Sequence, residues 1–331
     1  MVTLMNLPIV DLHCDLLSYL SGNLVRTAYD PESRCSIPFL KDGGVVVQTL
    51  AIYTRTQSKS VKDANTQFNI FKKLPKQFPN EIVHFSDLDK HTSCPQIILS
   101  IENASGILNE KEPFEKGIER LNQFQKEAGP ILYIGLTWHD ENRFAGGNLS
   151  PDIPLKEDGK RLLEFMAENH ISIDLSHTSD PTAEGILNYI ETKNLPLIPI
   201  ASHSNFRTIC DAPRNLPDEF VKEIIRKEGV IGLNFVKAFV GKPPDFFWHH
   251  LEHIDSLGGW NHMCLGADFF TDIDTPKEFE HLMPFFFDEY ANSSCYPHFL
   301  DKMREKFSEE KLQQLCFQNF FSYLDRRDHL K

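Results

Sequence analysis

Eight short β-rich apolar runs, each parted from the next by a helix-sized segment, constrain this 331-residue chain more than any other feature. The runs are Ile9–His13, Val45–Ala51, Gln96–Ile101, Ile131–Thr137, Ile171–Leu175, Leu197–Ala201, Val230–Asn234 and His262–Gly266. Amphipathic patterns of helical length lie between them, among them Val61–Phe78, Phe114–Glu127, Lys156–Glu168, Ala183–Lys193 and Pro217–Lys227. Strands that alternate with helices pair in parallel, because each helix carries the chain back to the edge where the next strand starts. Eight such units are the count of a (β/α)8 TIM barrel. No Ser/Gly linker, low-complexity tract or internal repeat divides residues 1–331, so a single barrel domain is expected, with extra C-terminal helices over His298–Arg327.

The polar residues gather where the apolar runs end. His13 and Asp15 follow the first, Glu102 the third, His139 the fourth, His177 the fifth, His203 the sixth, Asn234 the seventh and Asp268 the eighth. In a barrel of parallel strands all these ends lie on one rim. Packing does not explain such a set, because each buried polar group needs a partner. Within Asp11-Leu-His-Cys-Asp15, strand alternation predicts that Asp11, His13 and Asp15 project to the same face and that Cys14 turns to the core. His13, Asp15, Glu102, His177 and His203 are too many ligands for one tetrahedral ion with an open position. They suit two ions with a carboxylate between them. Two metals roughly 3.5–4 Å apart can share a hydroxide and polarise a carbonyl. Asp268 is then the natural proton shuttle between water and leaving group. Trp138, His139 and Asn234, on the same rim, are candidates for binding substrate.

These residues also resemble a known family. Asp-Leu-His-Cys-Asp at 11–15, Gly-Gly-Val-Val-Val-Gln at 43–48, Ser-Ile-Glu at 100–102 and Ile-Asp-Leu-Ser-His at 173–177 are similar to motifs of the renal (membrane) dipeptidase-type metallopeptidases, peptidase family M19 of the amidohydrolase superfamily. Ser-His-Ser at 202–204, Pro-Arg-Asn-Leu-Pro-Asp at 213–218 and Gly-Ala-Asp-Phe at 266–269 continue the match in order. The resemblance implies a binuclear zinc site, two Zn2+ per chain, and cleavage of dipeptides. It implies that His13 and Asp15 bind the first zinc, that Glu102 bridges, that His177 and His203 bind the second, and that Asp268 shuttles the proton. Arg214 would clamp the substrate's terminal carboxylate, which its bidentate guanidinium suits better than a lysine; the competing reading is a surface ion pair with Asp211 or Asp218. Classical members carry a histidine directly after Leu-Thr at the end of the fourth strand. Here Trp138 stands there and His139 follows, and alternation would turn the two to opposite sides. Two other readings remain open: a related amidohydrolase acting on a lactam, lactone or N-acyl amino acid, and a non-catalytic metal-stabilised barrel that binds peptides.

A net charge of −13 argues against nucleic acid and anionic membrane as partners. No apolar stretch approaches the roughly 20 residues that span a bilayer. Seven scattered cysteines without a Cys-x-x-Cys read as reduced thiols, and the first strand begins too near Met1 for a signal peptide, so a cytoplasmic location is expected. A homodimer is compatible with the sequence but nothing in it requires one. His249, His250 and His253 read as solvated or packing residues, His84, His91 and His329 carry no signal, and the Arg143-Phe-Ala-Gly-Gly loop is a weak candidate for lining the cleft.

Overall fold

In the computed structural model, which describes residues 7–23, 25–85, 94–273 and 275–329, all eight apolar runs form parallel strands. They are β1 (Ile9–Cys14), β2 (Val45–Ile52), β4 (Gln96–Ile101), β5 (Ile131–Gly135), β6 (Ser172–Asp174), β7 (Pro199–Ile200), β8 (Ile231–Leu233) and β9 (Met263–Leu265); a two-residue strand, β3 (Val83–His84), lies outside the ring and pairs with β4. The spatial order is β7-β6-β5-β4-β2-β1-β9-β8. A parallel bridge from Ala201 to Ile231 joins the two ends, so the sheet closes into the expected (β/α)8 barrel. His91 lies outside the described residues.

Residues from strands all round the ring (Val10, Leu12, Val47, Ile98, Leu132, Ile200, Val230 and Cys264 among them) meet in one apolar cluster. Only the barrel interior can gather side chains from opposite strands. Phe320, Phe321, Tyr323 and Leu324 join this cluster from the helix Asn319–Asp328. The C-terminal segment therefore packs against the barrel core. It forms helix Tyr296–Met303 and a second helical stretch from Glu309 to Asp328, interrupted by a π-turn at Gln314–Gln318.

The outer helices bury one face each. Helix Asp180–Lys193 starts where the Ser179 hydroxyl accepts a bond from the Thr182 N–H, with Pro181 in its first turn, and ends at Asn194 in the left-handed region. Its buried Ala183, Ile186, Leu187 and Ile190 follow the i, i+3, i+4, i+7 pattern of a single apolar stripe. Burying each of the larger three is worth about 1.5–3 kcal/mol. Among the described residues no helix is long and apolar enough to cross a membrane.

Two glycines let neighbouring backbone segments approach closely beside the rim. A Cβ on Gly232 or on Gly266 would lie 2.0 Å from the Ser202 carbonyl oxygen and 3.0 Å from the other glycine's Cα. Backbone cannot step aside as a flexible side chain does. Gly266→Ala is expected to destabilise the protein by about 1–3 kcal/mol, the usual cost of overpacking. A urea midpoint unchanged from the parent would show that the barrel relaxes there freely.

Candidate metal centre

The chain after β1 does not follow simple alternation. Val10 and Leu12 belong to the interior cluster, yet the register with β2 shifts between Asp11 and Cys14. That shift separates Asp11 from His13. Asp11 is buried, accepts from the His13 and Ala267 backbone N–H groups and from the Tyr296 hydroxyl, and so fastens β1 to β9 and to the C-terminal helices. Burial pushes its carboxyl up to about 6. The expectation that Asp11 shares a face with His13 and Asp15 is thereby corrected. Cys14 is buried in the outer core, as alternation predicts.

The other rim residues converge. Nε2 of the buried His13 lies 4.0 Å from Asp15 Oδ2, 3.7 Å from Glu102 Oε2 and 3.8 Å from Asp268 Oδ1. Glu102 Oε1 lies 3.0 Å from His177 Nε2 and 3.9 Å from His203 Nε2, and the two imidazole nitrogens are 3.0 Å apart. Three overlapping groups of candidate ligand atoms result: His13, Asp15 and Glu102; Glu102, His177 and His203; and His13, His203 and Asp268, each with its atoms within 4.8 Å of one another.

Hydrogen bonds behind the cluster set the tautomers. The Tyr133 hydroxyl donates to the Leu12 carbonyl, so at 2.7 Å it accepts from His13 Nδ1–H. The Ser202 hydroxyl donates to the Asp174 carboxylate and accepts from His203 Nδ1–H, also at 2.7 Å. Both rings are left with a bare Nε2 facing the cluster, the form that a metal requires. Asp174 and Ser202 stand in the motifs at 173–177 and 202–204 but without an assigned role, and Tyr133 sits unmarked within an apolar run.

The electrostatics suit a bound cation. Burial first, and then the neighbouring Asp15 and Asp268 carboxylates, hold Glu102 well above the usual carboxylate range; burial and Asp268 do the same to Asp15. Burial and the Arg214 charge push His13 down to about 3, and burial holds His177 and His203 well below the ordinary value. Neutral imidazoles facing carboxylates that resist ionisation are the complement of a cation. His13 Nε2, Asp15 Oδ1 and Glu102 Oε2 are buried without hydrogen-bond partners, which a coordinated ion would supply. The donor set thus fits a metal.

Asp268 adopts φ +64, and its Oδ2 accepts from Asn234 Nδ2 at 2.9 Å, leaving Oδ1 towards His13. Burial raises its carboxyl to about 7 against the opposing pull of Arg214 and the Asn234 bond. Asn234 itself is fully buried; its amide also donates to the His203 carbonyl and its oxygen accepts from Val236 N–H. It stands beside Asp268, whose carboxylate it holds. Arg214 is buried, with Nη1 on Ser204 Oγ at 2.8 Å, Nη2 on the His203 carbonyl at 3.0 Å and Nε unpartnered. It makes no ion pair with Asp211 or Asp218.

Trp138 and His139 differ from expectation for a clear reason: β5 ends at Gly135, so strand alternation no longer applies to them. Their rings lie 6.2 Å and 5.1 Å from the His177 ring, on the same side of the rim. Arg143 turns away from the cleft to Asp158 and to the Asn109 and Glu112 carbonyls. His250 is bonded to the Val240 carbonyl and His253 to Asp218, so the helix Phe246–Ser256 uses both in packing.

A closed parallel barrel with a histidine–carboxylate cluster on its C-terminal rim defines a (β/α)8 protein with a candidate metal centre. The chain belongs to the membrane dipeptidase family (peptidase family M19), whose model matches residues 2–328. An uncharacterized dipeptidase of Schizosaccharomyces pombe is 26% identical over 270 residues, 76% of this chain and 58% of that protein. Dipeptidase verJ of Clonostachys rogersoniana is 28% identical over 172 residues, 46% of this chain and 42% of that protein. The chain thus spans about half the length of the curated relatives it matches. Among solved structures, the M19 metallopeptidase named dipeptidase AC superposes with a TM-score of 0.82 at 22% identity, over 97% of this chain and 99% of that one. A metallopeptidase from Rhodobacter sphaeroides, liganded with a phosphinate mimic of the dipeptide L-Ala-D-Ala, gives a TM-score of 0.81 at 20% identity over the same shares. At such identities the structural likeness speaks for the fold.

Proposed function

We propose that the chain is a zinc-dependent dipeptidase that holds two Zn2+ ions on the barrel rim. The observation that carries the reading is the placement of Glu102, whose Oε2 faces His13 while its Oε1 faces His177 and His203. His13 and Asp15 would hold one ion, His177 and His203 the other, with Glu102 between them. When bound, the pair supplies an activated water and polarises the scissile carbonyl. Asp268 takes the proton of the attacking water on Oδ1 and returns it to the departing amine, while Asn234 keeps the carboxylate aimed. Arg214, fixed by Ser204 and the His203 carbonyl, receives the dipeptide's terminal carboxylate. Trp138 and His139 wall the cleft. Five of the seven cysteines are buried thiols, which suits a reducing compartment such as the cytoplasm.

The test is a metal assay joined to a substrate panel. Purified protein should contain two zinc ions per chain and hydrolyse dipeptides, lose that activity on chelation and regain it with zinc. Turnover of a lactone, lactam or N-acyl amino acid without dipeptide cleavage would replace the reading with another amidohydrolase activity. Peptide binding without any turnover would make the barrel a binding protein.

Arg214→Ala is expected to raise KM about 10- to 100-fold with little change in kcat, the effect of losing a charged hydrogen bond made in ground and transition state alike. The variant should also lose the preference for dipeptide acids over dipeptide amides. Equal rates on acids and amides in the unaltered enzyme would remove Arg214 from the carboxylate site.

A further inference from the structure

Four rings from three rim segments meet beside His177. Tyr53 follows β2, Trp138 and His139 follow β5, and Phe279 lies on the turn Lys277–Leu282 beyond β9. Trp138 stands edge-on to Tyr53, His139 and Phe279, with centroids 5.0, 3.8 and 5.7 Å away, and His139 is 5.2 Å from Phe279. All four are only partly buried, unlike the phenylalanines of the core. The Arg55 guanidinium lies 5.7 Å from the Trp138 centroid and is ion-paired with Glu278 at 2.8 Å. These residues make an aromatic box beside His177, one of the candidate ligands.

The strand order says which part of a ligand reaches it. Arg214 follows β7, and β2, which leads to Tyr53 and Arg55, lies four steps round the eight-stranded ring, directly across. Trp138 and His139 follow β5 and Phe279 lies beyond β9, each two steps from β7, so a dipeptide held by its carboxylate at Arg214 would extend its other residue away from β7 towards these segments. We propose that this aromatic box is the subsite for the side chain of the substrate's amino-terminal residue, and that it selects a neutral aromatic or large aliphatic group. The inference rests on the dipeptidase reading. Offset and edge-on rings favour a further ring or a branched aliphatic chain. A basic side chain would meet Arg55, which already lies over Trp138. An acidic one would be desolvated against four rings and would face Glu278.

The experiment compares kcat/KM of the zinc-loaded full chain on Phe-Ala, Leu-Ala, Ala-Ala, Lys-Ala and Asp-Ala. Phe-Ala and Leu-Ala should exceed the other three by about tenfold or more, within the range that apolar pockets achieve. In Trp138→Ala, and in Phe279→Ala on its exposed turn should the first misfold, the Phe-Ala to Ala-Ala ratio should fall to about threefold or less. A flat panel in the parent, or an equal loss on all five substrates in both variants, overturns the proposal. Quenching of tryptophan emission in Asp268→Asn gives an independent readout: Phe-Ala should half-saturate at about a tenfold lower concentration than Ala-Ala, and Phe279→Ala should erase the difference. If no dipeptide is cleaved, the functional reading fails while the quenching still decides the box.

Discussion

Asp268→Asn should lower kcat by on the order of 10²–10⁴ while leaving the metal content of the protein intact. Asparagine preserves the shape of the side chain, and its amide oxygen can still accept the 2.9 Å bond from Asn234. What it cannot do is take a proton and give it back. Burial raises the Asp268 carboxyl in the metal-free protein, and a bound cation beside it would pull it back towards the ionised form that accepts a proton. The metal assay matters because Asp268 Oδ1 is also close enough to His13 and His203 to serve as a ligand. Lost metal in the variant would recast Asp268 as a ligand, and near-normal turnover would remove it from the chemistry.

The barrel was legible in the sequence because its strands are buried on both faces and so appear as unbroken apolar runs. Their ends were less so. The runs Ile171–Leu175 and Leu197–Ala201 hold strands of only Ser172–Asp174 and Pro199–Ile200, although Leu175, Ile198 and Ala201 at their ends still bond to neighbouring strands. The same overrun at Leu136-Thr137 led alternation to place Trp138 and His139 on opposite sides. The candidate ligands could be read because each lies at the end of a strand or just beyond it, where the apolar run stops. Asp11 was misjudged because a register shift leaves no mark in a single sequence. Tyr133, Ser202, Asp174 and the ring of Phe279 act through contacts between residues far apart in the chain, and only the fold brings those together. The positive φ at His177 and Asp268, unusual for side-chain-bearing residues, is likewise invisible until the rim is built.

Glu102→Gln should separate metal binding from folding. In the metal-free protein the Glu102 carboxyl is held well above its usual range, chiefly by burial and then by Asp15 and Asp268, so glutamine imitates the neutral form it already favours. The metal-free variant should therefore be as stable as the metal-free parent, or more so, because a buried ionisable group is gone. Zinc should then divide the two proteins. The parent has a carboxylate with one oxygen towards His13 and the other towards His177 and His203, and it should gain about 2.7 kcal/mol of stability at zinc concentrations 100 times its Kd. The variant offers one neutral oxygen and an NH2 group that repels a cation, so zinc should barely move its melting temperature. Dipeptide turnover should fall by about 10³-fold or more, since activating water and polarising the carbonyl supply several kcal/mol between them. Full zinc stoichiometry with a normal zinc-dependent rise in melting temperature would mean that Glu102 does not bridge. A variant that melts early without metal would instead give Glu102 a structural role, which its unpartnered Oε2 argues against.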